Sequence, residues 1–175
     1  MELHRTETLV SSSGVLIQVT YIGVLPHEGS VRDAVLNLKY HGKRGNAKFL
    51  AEIVNQVLPA VKSQNALITW APTTTAHHLK RGMDHAELIA RHVAGRSGIC
   101  VVKLLRRVSS LSQTGATRSV RLMGPKFVCK PLRRQCNVIV IDDVVTTGAT
   151  LRAAAQALVD AGALSVVCIA PSRTV

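Results

Sequence analysis

The sequence predicts an α/β protein: a mostly parallel sheet covered by helices on both faces, with a small N-terminal hood. Three observations predict it. Short apolar runs at 66–71 (ALITWA), 100–105 (CVVKLL), 137–141 (NVIVI) and 164–170 (LSVVCIA) alternate with segments of helical period. Several of these runs are apolar throughout, as strands buried on both faces are. Only the first third breaks the alternation, so residues of about 14–62 read as a hood over a core of about 63–175, within one domain spanning 1–175.

The elements follow in order. GVLIQVTYIGVL, 14–25, is β-branched and bounded by Gly and Pro, which reads as one bent strand or a short hairpin. Val31, Ala34, Val35 and Leu38 fall at i, i+3, i+4 and i+7, an amphipathic helix that stops at the basic turn LKYHGKRGN. Ala47, Leu50, Ala51, Val54, Val57 and Leu58 share the face of a second helix, closed by Pro59. A strand at 66–71 ends at Pro72 and leads into the loop PTTTAHHLKRG. A helix over about 84–94 stops at Gly95, and CVVKLL is the next strand. From Arg106 to Gly124 the chain is polar, basic and aperiodic, the kind of long loop that is functional or mobile. KFVC and NVIVI are strands, TGATLRAAAQALVDAG is a helix with Gly162 as its C-terminal cap, and LSVVCIA is the last strand.

Composition narrows the class. With 175 residues, 47 % of them apolar, the chain can bury a real core and is not a disordered sequence. No apolar run is long enough for a membrane span, and MELHRTETLVSSSG does not read as a secretory signal; the expected location is the cytoplasm. Four cysteines at 100, 129, 136 and 168 include no Cys-x-x-Cys pair, so no zinc is expected and the thiols read as buried. The net charge of +12 suggests a polyanionic partner. No acid occurs between Glu87 and Asp142, a stretch that holds 11 of the 22 Lys and Arg residues. A basic face without a specific role is the alternative.

The string VIVIDDVVTTGATL, 138–151, carries the chemistry. A core strand ends in Asp142 and Asp143, and the loop after it runs directly into a helix. Ligands of open α/β sheets bind outside the carboxyl ends of strands. A helix N-terminus there offers free amides and partial positive charge to a phosphate. Gly148 permits close backbone approach, and Thr146, Thr147 and Thr150 add hydroxyls. Carboxylates suit a sugar diol. Together these describe a ribose 5-phosphate site, with Val144, Val145, Thr146, Thr147, Gly148, Ala149 and Thr150 on the phosphate and the acids on the hydroxyls. A nucleotide-binding P-loop and a dinucleotide fingerprint are both absent. Only 32 residues follow Asp143, too few to complete a receiver domain. A plain Thr-capped turn would not place two acids side by side at a buried strand end, where they repel.

The same string resembles the signature of the type I phosphoribosyltransferases, which bind phosphoribosyl pyrophosphate (PRPP). LKYHGKR, ITWAPTTTAHHLKRGMDHAELIA and SQTGATRSVRLMGPKF extend the resemblance to the ComF competence family, over about 31–170. The chain departs from that pattern in having no N-terminal four-cysteine module, and in Met83, Asp84 and Gly124. The resemblance implies a type I phosphoribosyltransferase-like fold. It implies that Asp142 and Asp143 hold the ribose hydroxyls and that Pro72, Thr73 and Thr74 face the pyrophosphate. Mg²⁺ would then be held indirectly by Asp142 and Asp143, through water or substrate. Asp142, Asp143 and Arg81 form the candidate catalytic set, with Arg118 and Arg121 as further clamps on a loop that could close over the site. It also implies a role in handling imported single-stranded DNA, with DNA-processing proteins as partners. Lys39, Lys43, Arg44, Arg118 and Arg121 are the candidate nucleic-acid contacts. The alternatives are an active transferase, moving the phosphoribosyl group to a nitrogen acceptor, and a regulator that binds PRPP without turnover. His77 with His78, and His85 with His92, lack metal-binding spacing and read as solvated or groove-lining.

Overall fold

The computed structural model describes residues 3–61, 63–74, 82, 84–108 and 125–174. Nine strands and four helices follow one another along these residues. The strands are β1 (Leu3–Val10), β2 (Leu16–Pro26), β3 (Ala66–Trp70), β4 (Cys100–Val101), β5 (Leu105–Val108), β6 (Lys126–Cys129), β7 (Asn137–Ile141), β8 (Val144–Val145) and β9 (Ser165–Arg173). The helices are α1 (Gly29–Tyr40), α2 (Asn46–Val61), α3 (His85–Ser97) and α4 (Ala149–Asp160).

The main sheet runs β1-β2-β9-β7-β3-β4, with β8 added to the end of β9. Every pairing in it is parallel except β1 with β2. Strand β7 shows why its sequence is apolar at every position after the first. Ile139 and Ile141 pack among Leu38, Leu50, Ile89 and Val93 of α1, α2 and α3. Val138 and Val140 face the opposite side, with Leu151, Ala155 and Leu158 of α4 and with Leu105 and Phe127 of the small β5–β6 ribbon. A strand covered on both faces has no polar side to show. The fold class is therefore as expected: α/β, mostly parallel, with helices on both faces.

The N-terminal third corrects the expectation of a hood lying over the sheet. Strand β2 is inside the main sheet, parallel to β9, with Ile22 opposite Ile169. Strand β1, which the sequence reading did not anticipate, pairs with it along eight residues as the sheet edge. Of the predicted hood, α1 and α2 are the part that lies over a face. Smaller corrections follow the same lines. Helix α3 continues past Gly95 and ends at Gly98, whose φ of 71° closes it with an N–H donated to Ala94 O. Pro59 lies within α2. CVVKLL divides between β4 and β5, so the segment read as aperiodic from Arg106 begins as a strand. Cys136 and Cys168 are buried, but Cys100 is exposed and Cys129 only half-buried. Gly162 caps α4 as expected: at φ 93° it donates to Val159 O while Ala163 donates to Leu158 O.

The order of strands fixes where a ligand can enter. Strand β3 passes through α3 to β4 on one side, and β7 passes through α4 to β9 on the other. Helix α3 packs on one face and α4 on the opposite one. The chains leaving β3 and β7 thus diverge, opening a crevice at the carboxyl ends of these neighbouring strands.

Candidate functional site

A cleft of about 480 Å³ occupies that crevice. Its floor is set by strand register. Trp70 stands opposite Ile141, and Ala71 N–H donates to Ile141 O, so Pro72 and Thr73 emerge beside Asp142 and Asp143. Asp142 N–H donates to Ile169 O, which holds the first acid at the sheet's end. Asp143 N–H then donates to Asp142 Oδ1 at 2.9 Å, folding the first carboxylate back over the turn.

Strand β8 resumes at Val144 and Val145, paired with Ser172 and Arg173. Val145 is buried and braces the loop from beneath. Gly148 sits at the N-cap of α4 with φ 76°, a conformation that side chains other than glycine's resist. Gly148 has no side chain to cap that end, and Thr147 Oγ1 accepts the Ala149 N–H at 3.4 Å. The loop and first turn enclose a hollow of about 30 Å³, walled by residues that include Thr146, Thr147, Gly148, Ala149 and Thr150. Thr146 and Thr150 also line the larger cleft, so the two hollows are neighbours. The 144–150 segment thus places the N-terminus of α4 next to the two acids.

The structure adds residues that the sequence reading did not place here. Asp84, at the N-cap of α3, is buried and accepts Thr73 N–H at 2.9 Å, tying the 72–74 turn to the helix. Burial raises the Asp84 carboxyl above its ordinary range, and the Thr73 N–H opposes that rise. Lys39 comes from the last turn of α1 and places Nζ 2.8 Å from Asp143 Oδ1. Arg107, on β5, lines the cleft with its guanidinium 5.7 Å from the centre of the Phe127 ring. His27 lies at the end of β2, its Nδ1 2.8 Å from Oγ of the fully buried Ser172. Tyr40, His85 and Thr174 complete much of the rim. Asp84 carried one legible signal, an acid just before a helix, but nothing in the linear order links it to Asp142.

Two acids in sequence at a half-buried strand end need compensation. Desolvation, and behind it the charge of Asp143, push the Asp142 carboxyl up to about 8; the Asp143 N–H and Lys39 pull it down. Lys39 is therefore a member of the cleft. Lys43 and Arg44 are exposed on the turn between α1 and α2 and do not line the cleft. Thr74 is described but lies off the lining. Arg81, Arg118 and Arg121 lie outside the described residues, as do His77, His78 and most of the segment expected to close over the site. Among the described residues, no three or more His, Cys, Asp and Glu side chains gather closely enough to hold a metal by themselves, and no helix is long and apolar enough to cross a membrane.

No family model matches the sequence, and no curated protein matches it. Solved structures do resemble it. TT1426 from Thermus thermophilus is similar at TM-score 0.42 and 18 % identity, over 72 % of this chain and 72 % of that one. A purine phosphoribosyltransferase from Pyrococcus horikoshii is similar at TM-score 0.39 and 14 % identity, over 71 % of this chain and 78 % of that one. Both likenesses are loose, and the reading of the site rests on this chain's own geometry.

Proposed function

We propose that the cleft binds a ribose 5-phosphate ester, and that its full ligand is PRPP with Mg²⁺. One observation carries the reading. The adjacent acids Asp142 and Asp143 stand beside the N-terminus of α4, where two neighbouring hollows share Asp142, Val144, Thr146 and Thr150 as lining at the divergence of β3 and β7. A phosphate suits the amides and the Thr146, Thr147 and Thr150 hydroxyls. It does not suit the carboxylates, which accept hydrogen bonds from the 2- and 3-hydroxyls instead.

Mg²⁺ would supply positive charge to the diphosphate oxygens. The donor set fits it: hard carboxylate oxygens with no closed protein cage among the described residues, as suits an ion that keeps several waters and leans on its ligand's phosphates. Pro72 and Thr73 border the space the diphosphate would occupy, and Arg107 faces it. Charge growing on a departing diphosphate is stabilised by such fixed cations. If transfer occurs, a nitrogen of the acceptor attacks C1, the C1–O bond to the diphosphate breaks, and diphosphate leaves.

The ComF-type role in handling single-stranded DNA remains part of the proposal. The net charge of +12, far more than a small-molecule site requires, favours a polyanionic partner as well. Lys39, Lys43 and Arg44 are its described candidate contacts, and binding should weaken steeply with salt.

Calorimetric titration of PRPP with Mg²⁺ tests the site. Wild type should bind, and Asp142→Asn/Asp143→Asn should lose at least about 100-fold in affinity while keeping its circular dichroism. Equal binding by both proteins would remove the acids from the ligand site. Diphosphate release on adding candidate bases would establish turnover.

A further inference from the structure

We propose that Lys39 is the specificity-determining cation of the cleft: it rewards a second anionic group on the sugar, beyond the 5-phosphate. The inference rests on the ribose-phosphate reading and assigns a residue from an element far from the signature loop.

Lys39 is held in place by its helix. Leu38 beside it is 1 % exposed, and Val31, Ala34 and Val35 bury the same face of α1. The ammonium therefore reaches the cleft from a fixed position, 2.8 Å from Asp143 Oδ1. This is not a solvated surface pair; the two side chains are only 25 % and 12 % exposed. An ammonium has three donors, and Asp143 takes one. The other two have no acceptor among the described residues.

Three carboxyl groups line the cleft, from Asp84, Asp142 and Asp143. They offer an entering anion few donors, so a cation must meet it. The helix N-terminus at 148–150 meets the 5-phosphate. A ligand with that phosphate alone leaves Lys39 on Asp143, so Lys39 adds little to its affinity. A ligand with a diphosphate at C1 offers oxygens to the two remaining donors, while Asp143 turns its free oxygen to the sugar hydroxyls.

The test compares two probes, PRPP and ribose 5-phosphate, each with Mg²⁺, by titration calorimetry on wild type, Lys39→Met and Lys39→Arg. Lys39→Met should reduce the preference for PRPP over ribose 5-phosphate by about tenfold or more. Its affinity for ribose 5-phosphate should change by less than about threefold, and Lys39→Arg should retain most of the preference. An unfolding midpoint for each variant confirms that it folds. Parallel weakening of both probes would reduce Lys39 to a neutraliser of Asp143 and overturn the inference. So would an unchanged ratio. Wild type that binds neither probe would overturn the ribose-phosphate reading and this inference with it.

Discussion

The wall formed by residues 142–150 is one continuous piece of chain, whereas the rest of the cleft is assembled from side chains of distant elements: His27, Lys39, Asp84 and Arg107. The continuous wall works mainly through its backbone. Gly148 adopts φ 76° there and starts α4, with Thr147 Oγ1 accepting the Ala149 N–H. The assembled wall works through side chains, each placed by something outside itself. Ser172 orients His27, the buried face of α1 presents Lys39, Thr73 N–H holds Asp84, and Phe127 underlies Arg107. Damage to the first wall should change the ligand's phosphate and hydroxyl contacts directly. Damage to the second should act through packing.

The junction of the two walls should be the most sensitive point. Gly23 of β2 lies where a Cβ would come within 2.8 Å of both Val145 Cγ1 and Arg173 Cβ. Gly23→Val should therefore destabilise the protein by about 2–3 kcal/mol, read as a lower urea midpoint at unchanged slope. A midpoint equal to that of wild type would mean that β8 can shift without cost, and that the walls are not coupled through it.

A second contrast concerns charge. The folded protein retains the Asp142 proton up to about 8, whereas an unfolded chain releases it near 3.8. Between those values the folded state binds more protons, so the ligand-free protein should lose stability as pH rises from about 4 to about 8. Asp142→Asn should flatten that slope and stabilise the free protein at pH 8 by about 1 kcal/mol or more, while weakening ligand binding. Thermal melts across the range check it; identical slopes for variant and wild type would place the compensation elsewhere.

The smallest effect is expected under Arg107. Phe127→Leu keeps an apolar side chain in the β5–β6 ribbon but removes the ring beneath the guanidinium. PRPP affinity should fall about two- to fivefold, with ribose 5-phosphate affected less. No change in either would mean that Arg107 is positioned by its strand alone.

These contrasts also show why the sequence was readable in one place and not in another. VIVIDDVVTTGATL carries its strand, acids, loop and helix start within 14 residues, so local periodicity and backbone chemistry suffice to read it. The segment 3–61 gave correct helices but a misplaced strand. Nothing in LIQVTYIGVLP states that it pairs with β9, 147 residues later in the chain. His4, Arg5, Thr6 and Thr8, polar residues on an edge strand, resemble a loop until the pairing with β2 is seen. Lys39 read as one of a basic cluster, because its neighbours Lys43 and Arg44 do face solvent.

The sequence by itself determined the α/β class, the buried central strands and the loop that runs from Asp142 to Gly148, because all of these follow from short-range pattern and backbone preference. Tertiary structure alone decided the strand order, the entry of β2 into the sheet, and the gathering of Lys39, Asp84 and Arg107 around the acids. Those depend on which apolar faces bury one another, and that choice is made among residues far apart in the chain.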